Sequence, residues 1–425
     1  MARRVAVVGA GWAGLAAAVR ATQLGHAVTL FEMAPQAGGR ARRVDTHGVS
    51  LDNGQHILIG AYAHTLALMK LVGVDTQRAL LRTPLRVSYP DGTGLQLDKG
   101  AAVPAFLKAV WRYPGWSRAE KWALLRTTLQ WGLKRFTCAA DLTVTGLTAH
   151  LPEAVRTQLL DPLCVAALNT PPDQASARVF LRVLRDALMS GPGSADLLLP
   201  RWRLSALLPD PALHWLAQQG AQVRLSHRAE QIVPTEAGWQ VNGEAFDGVV
   251  LACSALEAAR LAEPHQPDWA ALAQSLHYEP IVTVYAHSPD TQLPEPMMAL
   301  HSGPNAPAQF VFDLGRISGM EGVLAFVISG AAPWVNQGAD ATLAATLKQA
   351  QRALAQHLAS PLIGLRALTE KRATFLCTPG LQRPGALLQP GLAAAGDYID
   401  GPYPATLEGA VRSGQEAAER VFAER

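Results

Sequence analysis

A glycine-rich turn near the N-terminus constrains the fold of this chain more than any other feature of its sequence. Three glycines form a GxGxxG motif directly after the β-branched run 5–8, and they are Gly9, Gly11 and Gly14. The first permits a tight turn, the second lets the backbone approach a pyrophosphate, and the third lets a helix pack on the strand. The alanine-rich segment 12–24 predicts that helix, and segment 27–31 predicts the next parallel strand. This βαβ unit predicts a Rossmann-type dinucleotide-binding domain.

Two further features locate the expected dinucleotide. Glu32 ends the second predicted strand, 18 residues after Gly14. A carboxylate at this place accepts hydrogen bonds from ribose hydroxyls and repels the 2′-phosphate of NADP. The helix dipole favours negative charge beside Trp12 and Ala13, the first residues of the predicted helix. We therefore expect the phosphates at Trp12 and Ala13 and a ribose at Glu32.

The segment after this unit resembles one class of dinucleotide-binding protein. Gly38, Gly39 and Arg40 form a GGR sequence whose spacing resembles that of the amine-oxidase-like and carotenoid-desaturase-like flavoproteins, which bind FAD. The resemblance implies that Gly39 lets the backbone run close to FAD. It also implies that the Arg40 guanidinium meets a phosphate or the flavin.

The C-terminal segment AAAGDYIDGPYPATLEGAVRSG, residues 393–414, carries the same resemblance. It implies that Asp397, after a strand predicted over 392–395, binds the ribityl or pyrophosphate part of FAD. A helix predicted over 404–421 would aim its positive N-terminal end at the flavin, through Ala405, Thr406 and Leu407, and stabilise the reduced form. Ala229, which opens a strand predicted over 229–233, completes the expected FAD-binding set.

The chain has 425 residues, too many for one compact core, so two domains are expected. Further strands predicted at 221–225, 239–241 and 248–252 suggest a second unit similar to the first. We predict an α/β fold whose Rossmann-type two-dinucleotide-binding FAD domain, a parallel sheet with helices, is built from residues 1–85, 201–262 and 366–425. Residues 86–200 and 263–365 would form an α+β substrate domain with a mixed sheet, a helical membrane-facing part and a long apolar channel. Its apolar strands are predicted at 281–285, 310–312 and 324–328.

Composition argues against several other classes of function. The formal net charge is only +3, which argues against nucleic-acid binding. The four cysteines contain no CxxC pair, which argues against a metal site or a disulfide framework and favours the reducing cytoplasm. The sequence has no second GxGxxG motif, so we expect no NADPH domain. An external electron donor, whose identity the sequence does not reveal, would then have to reduce the flavin.

One segment points to a particular family. LDNGQHILIG, residues 51–60, resembles the hydroxysqualene dehydroxylase family, as do PIVTVY at 280–285 and ATFLCTPGLQRP at 373–384. The resemblance implies FAD-dependent reduction of hydroxysqualene, a long apolar isoprenoid, to squalene for hopanoid biosynthesis. Two alternatives stay open: a carotenoid-type (phytoene-like) desaturase, which runs in the opposite redox direction, and a flavin amine oxidase.

Three positions bear on these alternatives. Amine oxidases usually carry an aromatic residue where this chain has Thr406, which weakens the amine oxidase interpretation. Cys377 lacks the glycine-flanked context of a flavin-attaching cysteine, so non-covalent FAD is expected. In the loop 52–56, His56 is the candidate general acid, and Gln55 is the candidate to hydrogen-bond the flavin or orient a water. A purely structural role for His56 stays open.

The segment 99–135 combines basic and aromatic residues. It contains eight Lys or Arg, a single Glu, and four of the ten tryptophans. Such a pattern on an amphipathic helix favours an anionic membrane surface. We therefore expect peripheral binding at the cytoplasmic face of the membrane, where a triterpene substrate is stored. The alternative is a helix pair that packs between the domains and exposes its basic face to solvent.

Overall fold

The computed structural model describes residues 2–46 and 49–422. Its strands in chain order are β1 Arg4–Val8, β2 Ala27–Phe31, β3 Arg43–Thr46, β4 Val49–Asp52, β5 Leu58–Ile59, β6 Leu80–Thr83, β7 Arg86–Ser88, β8 Gly94–Gln96, β9 Leu197–Pro200, β10 Gln222–Arg224, β11 Ile232–Thr235, β12 Gly238–Val241, β13 Glu244–Phe246, β14 Gly248–Leu251, β15 Tyr278–His287, β16 Met297–Ala299, β17 Phe310–Asp313, β18 Val323–Ile328, β19 Ile363–Phe375, β20 Leu387–Gln389 and β21 Leu392–Ala394.

The helices alternate with these strands, and one π-helix lies between two of them at Arg156–Leu160. The α-helices in chain order are α1 Trp12–Gln23, α2 Ala63–Leu71, α3 Thr76–Ala79, α4 Ala102–Arg112, α5 Arg118–Leu133, α6 Val144–Thr148, α7 Glu153–Val155, α8 Asp161–Leu168, α9 Ala177–Met189, α10 Leu204–Leu207, α11 Pro209–Gln218, α12 Ala255–Ala262, α13 Pro267–Gln274, α14 Leu314–Ser318, α15 Ala332–Gln337, α16 Ala339–Ala353 and α17 Leu407–Arg420.

The largest sheet has the strand order β10-β2-β1-β14-β21-β20. Its first five strands run parallel, and β20 pairs antiparallel with β21 at the edge. The inner strands are apolar runs because both faces of a parallel sheet are covered. Helices α1 and α17 pack together on one face, and a Cβ on Gly414 would lie 2.1 Å from the Ala13 carbonyl oxygen. The glycine therefore lets the N-terminal and C-terminal segments meet beside the glycine-rich turn.

The predicted βαβ unit over 5–31 is confirmed, but the second unit is not of the same type. Strand β10 joins the parallel sheet, whereas β11, β12 and β13 form a separate antiparallel sheet. Short turns at 236–237 and 242–243 connect these strands directly, and such hairpins enforce antiparallel pairing. Ala229 precedes β11 rather than opening it, so the strand predicted over 229–233 begins too early.

The second large sheet has the order β16-β17-β18-β15-β19. The apolar strands predicted at 281–285, 310–312 and 324–328 are confirmed as parts of β15, β17 and β18. Every pairing in this sheet is antiparallel. The predicted mixed sheet was therefore wrong here: α15 and α16 connect β18 to β19, which run in the same direction, but β15 lies between these two strands and is antiparallel to both. Helix α16 packs against β19 and β15.

A small third sheet bears on the predicted division into domains. Strand β9, which belongs to the predicted segment 86–200, lies between β5 and β6, which both belong to the predicted segment 1–85. The five-segment division itself remains a prediction. Across the described ranges 2–46 and 49–422, no helix is both long enough and apolar enough to span a bilayer.

Candidate active site

A cavity of about 460 Å³ lies at the carboxyl ends of β1, β2 and β14 and extends to β15 and β19. Open parallel sheets bind ligands at this edge. The structure brings nearly all of the predicted site residues to its wall, namely Gly9, Gly11, Trp12, Ala13, Glu32, Gly39, Arg40, Gln55, His56, Ala229, Asp397, Ala405, Thr406 and Leu407. Residues more than 300 positions apart in sequence therefore share one cavity.

The glycine-rich turn leaves open space where a pyrophosphate must fit. Gly11 has φ −71° and ψ 178°, which any residue can adopt, and a Cβ there would meet nothing closer than the Gly39 Cα at 4.0 Å. Gly11 and Gly39 lie against one another on the cavity wall, and neither presents a side chain to the space in front of them. Gly14 differs, since a Cβ there would lie 1.8 Å from the Gly9 carbonyl oxygen. Predicted as cofactor-binding, Gly14 lies off the cavity wall and packs the helix against the turn.

Glu32 and Trp12 are fixed by the backbone around them. The Glu32 carboxylate accepts hydrogen bonds from the Ala10 amide at 2.7 Å and from the Ala34 amide at 2.8 Å. Each carboxylate oxygen keeps a further lone pair that can accept from a ribose hydroxyl. The Trp12 indole is buried and donates to the Ala41 carbonyl at 3.0 Å, which ties α1 to the GGR segment.

Arg40 and Asp397 contact one another directly. The Arg40 Nη2 lies 2.5 Å from Asp397 Oδ1, and Nη1 donates to the Ala373 carbonyl at 2.7 Å. Burial opposes the charge of Arg40, but the adjacent Asp397 carboxylate outweighs it and raises the pKa of the guanidinium. The sequence predicted a cofactor contact for each residue separately. Their ion pair, across 357 positions, was not foreseen.

The C-terminal helix starts later than the sequence predicts. Ala405 adopts the left-handed region with φ 56°, and the Thr406 hydroxyl caps α17 by accepting from the Gly409 amide at 3.0 Å. Residues 404–406 are therefore not helical, and α17 begins at Leu407. Its N-terminal end still reaches the cavity wall through Ala405, Thr406 and Leu407. The next residue, Glu408, is fully buried and accepts from the Thr65 amide at 2.9 Å.

The loop 52–56 places two predicted catalytic candidates on the wall. Gln55 Nε2 donates to the Tyr285 hydroxyl at 3.0 Å, and that hydroxyl donates to the Asp52 carbonyl at 2.9 Å. His56 Nδ1 lies 3.4 Å from the Gly54 carbonyl oxygen. Burial lowers the pKa of His56 to about 4, so the ring is neutral at pH 7. An acid role for His56 would therefore require an imidazolium that is scarce at neutral pH.

Sequence reasoning missed several polar groups on the same wall. Asn53 donates to Glu370 Oε2 at 3.1 Å and to the Arg40 carbonyl at 2.9 Å. Thr283 and Tyr398 line the cavity with buried hydroxyls that have no hydrogen-bond partner among residues 2–46 and 49–422. Orphaned buried hydroxyls and adjoining glycines fit a polar dinucleotide and a ligand beside it. A single threonine within the apolar run PIVTVY was the signal for Thr283.

The sequence matches the profile of the flavin containing amine oxidoreductases over residues 12–422. The chain belongs to the flavin containing amine oxidoreductase family. Among its members, a hydroxysqualene dehydroxylase of Rhodopseudomonas palustris is 30% identical over 100% of this chain and 99% of its own length. The resemblance that LDNGQHILIG carries is thereby confirmed. A 15-cis-phytoene desaturase of Capsicum annuum is 23% identical over 98% of this chain and 77% of its own length.

The family fold is seen in solved structures as well. An oxidoreductase from Methanosarcina mazei superposes with a TM-score of 0.73 at 15% identity, covering 98% of this chain and 100% of its own. This likeness supports the α/β FAD-binding fold alone. The family membership makes this chain a flavin-dependent oxidoreductase.

The basic segment 99–135 forms a helix pair, α4 and α5, whose tryptophans divide into two classes. Trp111 and Trp122 are 50% and 61% exposed, with ring centroids 6.0 Å apart. Trp116 and Trp131 are buried, and the Trp116 indole donates to Gln158 Oε1 at 3.0 Å. Trp116 and Trp131 therefore pack into the core, and Trp111 and Trp122 are the tryptophans of this segment that a membrane surface could contact.

Proposed function

We propose that this protein reduces hydroxysqualene to squalene with non-covalently bound FAD. The observation that carries the proposal is one cavity that is lined by the adjoining glycines Gly11 and Gly39 and also by the apolar Ile281 of β15 and Leu368 of β19. The name of the full-length relative at 30% identity supplies the substrate. The glycines suit a polar dinucleotide, and Ile281 and Leu368 suit a hydrocarbon substrate beside it.

The reaction must cleave the carbon–oxygen bond of an allylic alcohol. The hydroxyl oxygen takes up one proton and leaves as water, while a hydride forms the new carbon–hydrogen bond. When bound, reduced FAD supplies that hydride, which carries both electrons of the reduction, and an external donor of unidentified chemistry restores them. Loss of water from the alcohol leaves an allylic cation, and the chain must keep other water away from it. The apolar Ile281 and Leu368 on the cavity wall favour this exclusion of water.

The predicted roles of the wall residues form part of this proposal. Gly9, Gly11, Trp12 and Ala13 would hold the pyrophosphate, and Glu32 would hold a ribose. Arg40 and Asp397, already paired, would meet the ribityl or phosphate groups together. Non-covalent attachment is supported by Cys377, which is buried and lies outside the cavity lining, and whose pKa burial raises to about 12. The five-segment division into FAD and substrate domains is likewise proposed.

Redox direction separates this proposal from a carotenoid-type desaturase, the activity named for the 23% identical relative. Two anaerobic incubations distinguish them: reduced enzyme with hydroxysqualene, and oxidised enzyme with squalene or phytoene. We expect product only in the first. Product only in the second would replace the dehydroxylase proposal with a desaturase, and an oxidised amine in a parallel assay would favour the amine oxidase alternative.

We also propose that α4 and α5 dock on the anionic cytoplasmic face of a membrane, from which the isoprenoid enters. The two helices form a groove lined by Leu107, Trp111, Trp122 and Leu129 together with Lys108, Arg112 and Arg126. Asp98 pairs with Lys108 at 2.5 Å and with Arg112 at 3.3 Å, which still leaves an excess of positive charge. An exposed apolar groove with a basic rim suits anionic headgroups above acyl chains.

Vesicle flotation tests the docking proposal. Replacing Trp111 and Trp122 with Ala should lower partitioning to anionic vesicles by about tenfold, since two half-buried aromatic side chains are lost from the bilayer interface. The matched control replaces Ile363 and Leu365, which are 60% and 43% exposed on β19, with Ala. We expect the control to float like the wild type. Equal flotation of all three proteins would contradict docking through this groove.

A further inference from the structure

Thr283 is a polar residue of the cavity wall that has apolar neighbours on its own strand and on β19. It lies in β15, the strand between β18 and β19, and pairs with Leu368 on β19. Side chains alternate along a strand, so Thr283 shares its face with Ile281 and Tyr285. Thr283, Ile281 and Leu368 all line the cavity. Its hydroxyl therefore lies beside hydrocarbon groups, while the polar Gln55 and His56 line the same cavity.

The Thr283 hydroxyl is unengaged, unlike its polar neighbours. The side chain is 0% exposed, and Oγ1 has no hydrogen-bond partner within the described ranges 2–46 and 49–422. Gln55 Nε2, in contrast, donates a hydrogen bond to the Tyr285 hydroxyl at 3.0 Å. A buried hydroxyl without a partner is unfavourable and rare in folded proteins. Such a group calls for a partner that enters the cavity.

The space that this hydroxyl faces is bounded on three sides. A Cβ on Gly54 would lie 3.6 Å from Thr283 Oγ1 and 3.9 Å from His56 Cε1, so both side chains converge above Gly54. Gly54 has φ +90°, a conformation that favours glycine, and the missing side chain keeps the space open. The result is a small polar niche in an apolar wall.

We propose that this niche binds the hydroxyl group of the allylic alcohol substrate, with Thr283 as its hydrogen-bond partner. The inference rests on the proposed function and deepens it by assigning the recognition of the leaving group. An alcohol and a threonine hydroxyl can each donate and accept, so they match without a charge. The hydrocarbon product has no hydroxyl and leaves Thr283 unpartnered again, which favours product release.

The test compares the binding of alcohol and hydrocarbon to the oxidised, flavin-loaded enzyme. Dissociation constants for hydroxysqualene and squalene are measured from the change in flavin absorbance. Wild type should bind hydroxysqualene about tenfold more tightly, as one buried hydrogen bond implies. Thr283→Val, which keeps the shape, should lose most of this preference with squalene affinity unchanged, and Thr283→Ser should retain it. Thermal unfolding of Thr283→Val should occur no lower than that of wild type, because the lost hydroxyl had no protein partner.

Several results would overturn the assignment. If wild type and Thr283→Val prefer hydroxysqualene over squalene to the same extent, the Thr283 hydroxyl does not contact the alcohol. If Thr283→Val loses flavin, or if its affinity for both ligands falls by the same factor, the hydroxyl contacts the cofactor instead. Should Thr283→Val not fold, a wild type without preference for the alcohol would refute the inference by itself. Wild type that prefers the alcohol but never converts it would refute the proposed function and leave the niche supported.

Discussion

Replacing Gly11 with Val should abolish flavin binding while leaving the fold intact. The backbone angles of Gly11 suit any residue, and a Cβ would find its nearest neighbour, the Gly39 Cα, at 4.0 Å. The valine methyl groups would then project into the cavity that Gly11 and Gly39 line side by side. We expect them to occupy the volume that a pyrophosphate needs.

The size of the effect follows from the contacts that would be lost. Displacing the pyrophosphate from the start of α1 removes at least two hydrogen bonds to a charged group, at about 1.5 kcal/mol each. The dissociation constant for FAD should therefore rise by about 100-fold or more. The free energy of unfolding of the apoprotein should fall by no more than about 1 kcal/mol, the cost of an unfavourable residue at the helix N-cap.

Gly14→Ala is the matched comparison. Its Cβ would lie 1.8 Å from the Gly9 carbonyl oxygen, so the helix must shift away from the turn. We expect the apoprotein to lose about 3 kcal/mol of stability or more, as overpacked sites do. Flavin content is measured by absorbance after denaturation, and unfolding of both apoproteins by circular dichroism in urea. A Gly11→Val protein that retains a full complement of flavin would refute the placement of the cofactor.

Three further predictions concern individual side chains. Tyr285→Phe should lower the free energy of unfolding by about 1–2 kcal/mol, measured in urea, because Gln55 and the Asp52 carbonyl lose a shared partner. Glu408→Ala should cost about 3 kcal/mol in the same assay, because the fully buried carboxylate serves Thr65 and pairs with Arg412 at 2.7 Å; no loss would contradict this role. The third is the pH dependence of stability. Burial lowers the pKa of His56 to about 4 and raises the pKa of Asp52 to about 6. Between about pH 4 and 6, His56 binds more protons in the unfolded state than in the folded state, so its contribution to stability increases as pH rises. Asp52 binds fewer protons in the unfolded state, so its contribution to stability decreases as pH rises. The two slopes should nearly cancel in wild type, while His56→Gln should lose stability as pH rises through this window; an unchanged profile would contradict the burial of His56.

Local sequence patterns predicted well the local structure around the glycine-rich turn. The turn at Gly9, the carboxylate at Glu32 and the strand before Asp397 are each specified within a few residues, because turn geometry and strand burial depend on near neighbours. The start of α17 was missed by three residues, since the left-handed conformation of Ala405 is set by its surroundings rather than by its own preference.

Contacts between distant segments were the part that the sequence did not reveal. Arg40 and Asp397 were each expected to meet the cofactor, yet only the folded chain shows that they form an ion pair. Trp111 and Trp116 lie five positions apart in similar basic surroundings, but one is exposed and the other bonds to Gln158. Thr283 looked like one residue of a core strand, and its unpartnered hydroxyl becomes visible only when β19 and the loop at Gly54 are placed beside it.

The central claim is that reduced flavin in this cavity delivers hydride to an allylic alcohol. Its most direct test is a single-turnover experiment in an anaerobic stopped-flow instrument, with photoreduced enzyme mixed with hydroxysqualene. We predict that flavin reoxidation and squalene formation proceed at the same rate, with one squalene formed per flavin. Flavin that stays reduced in the presence of hydroxysqualene, or reoxidises without forming squalene, would contradict the claim.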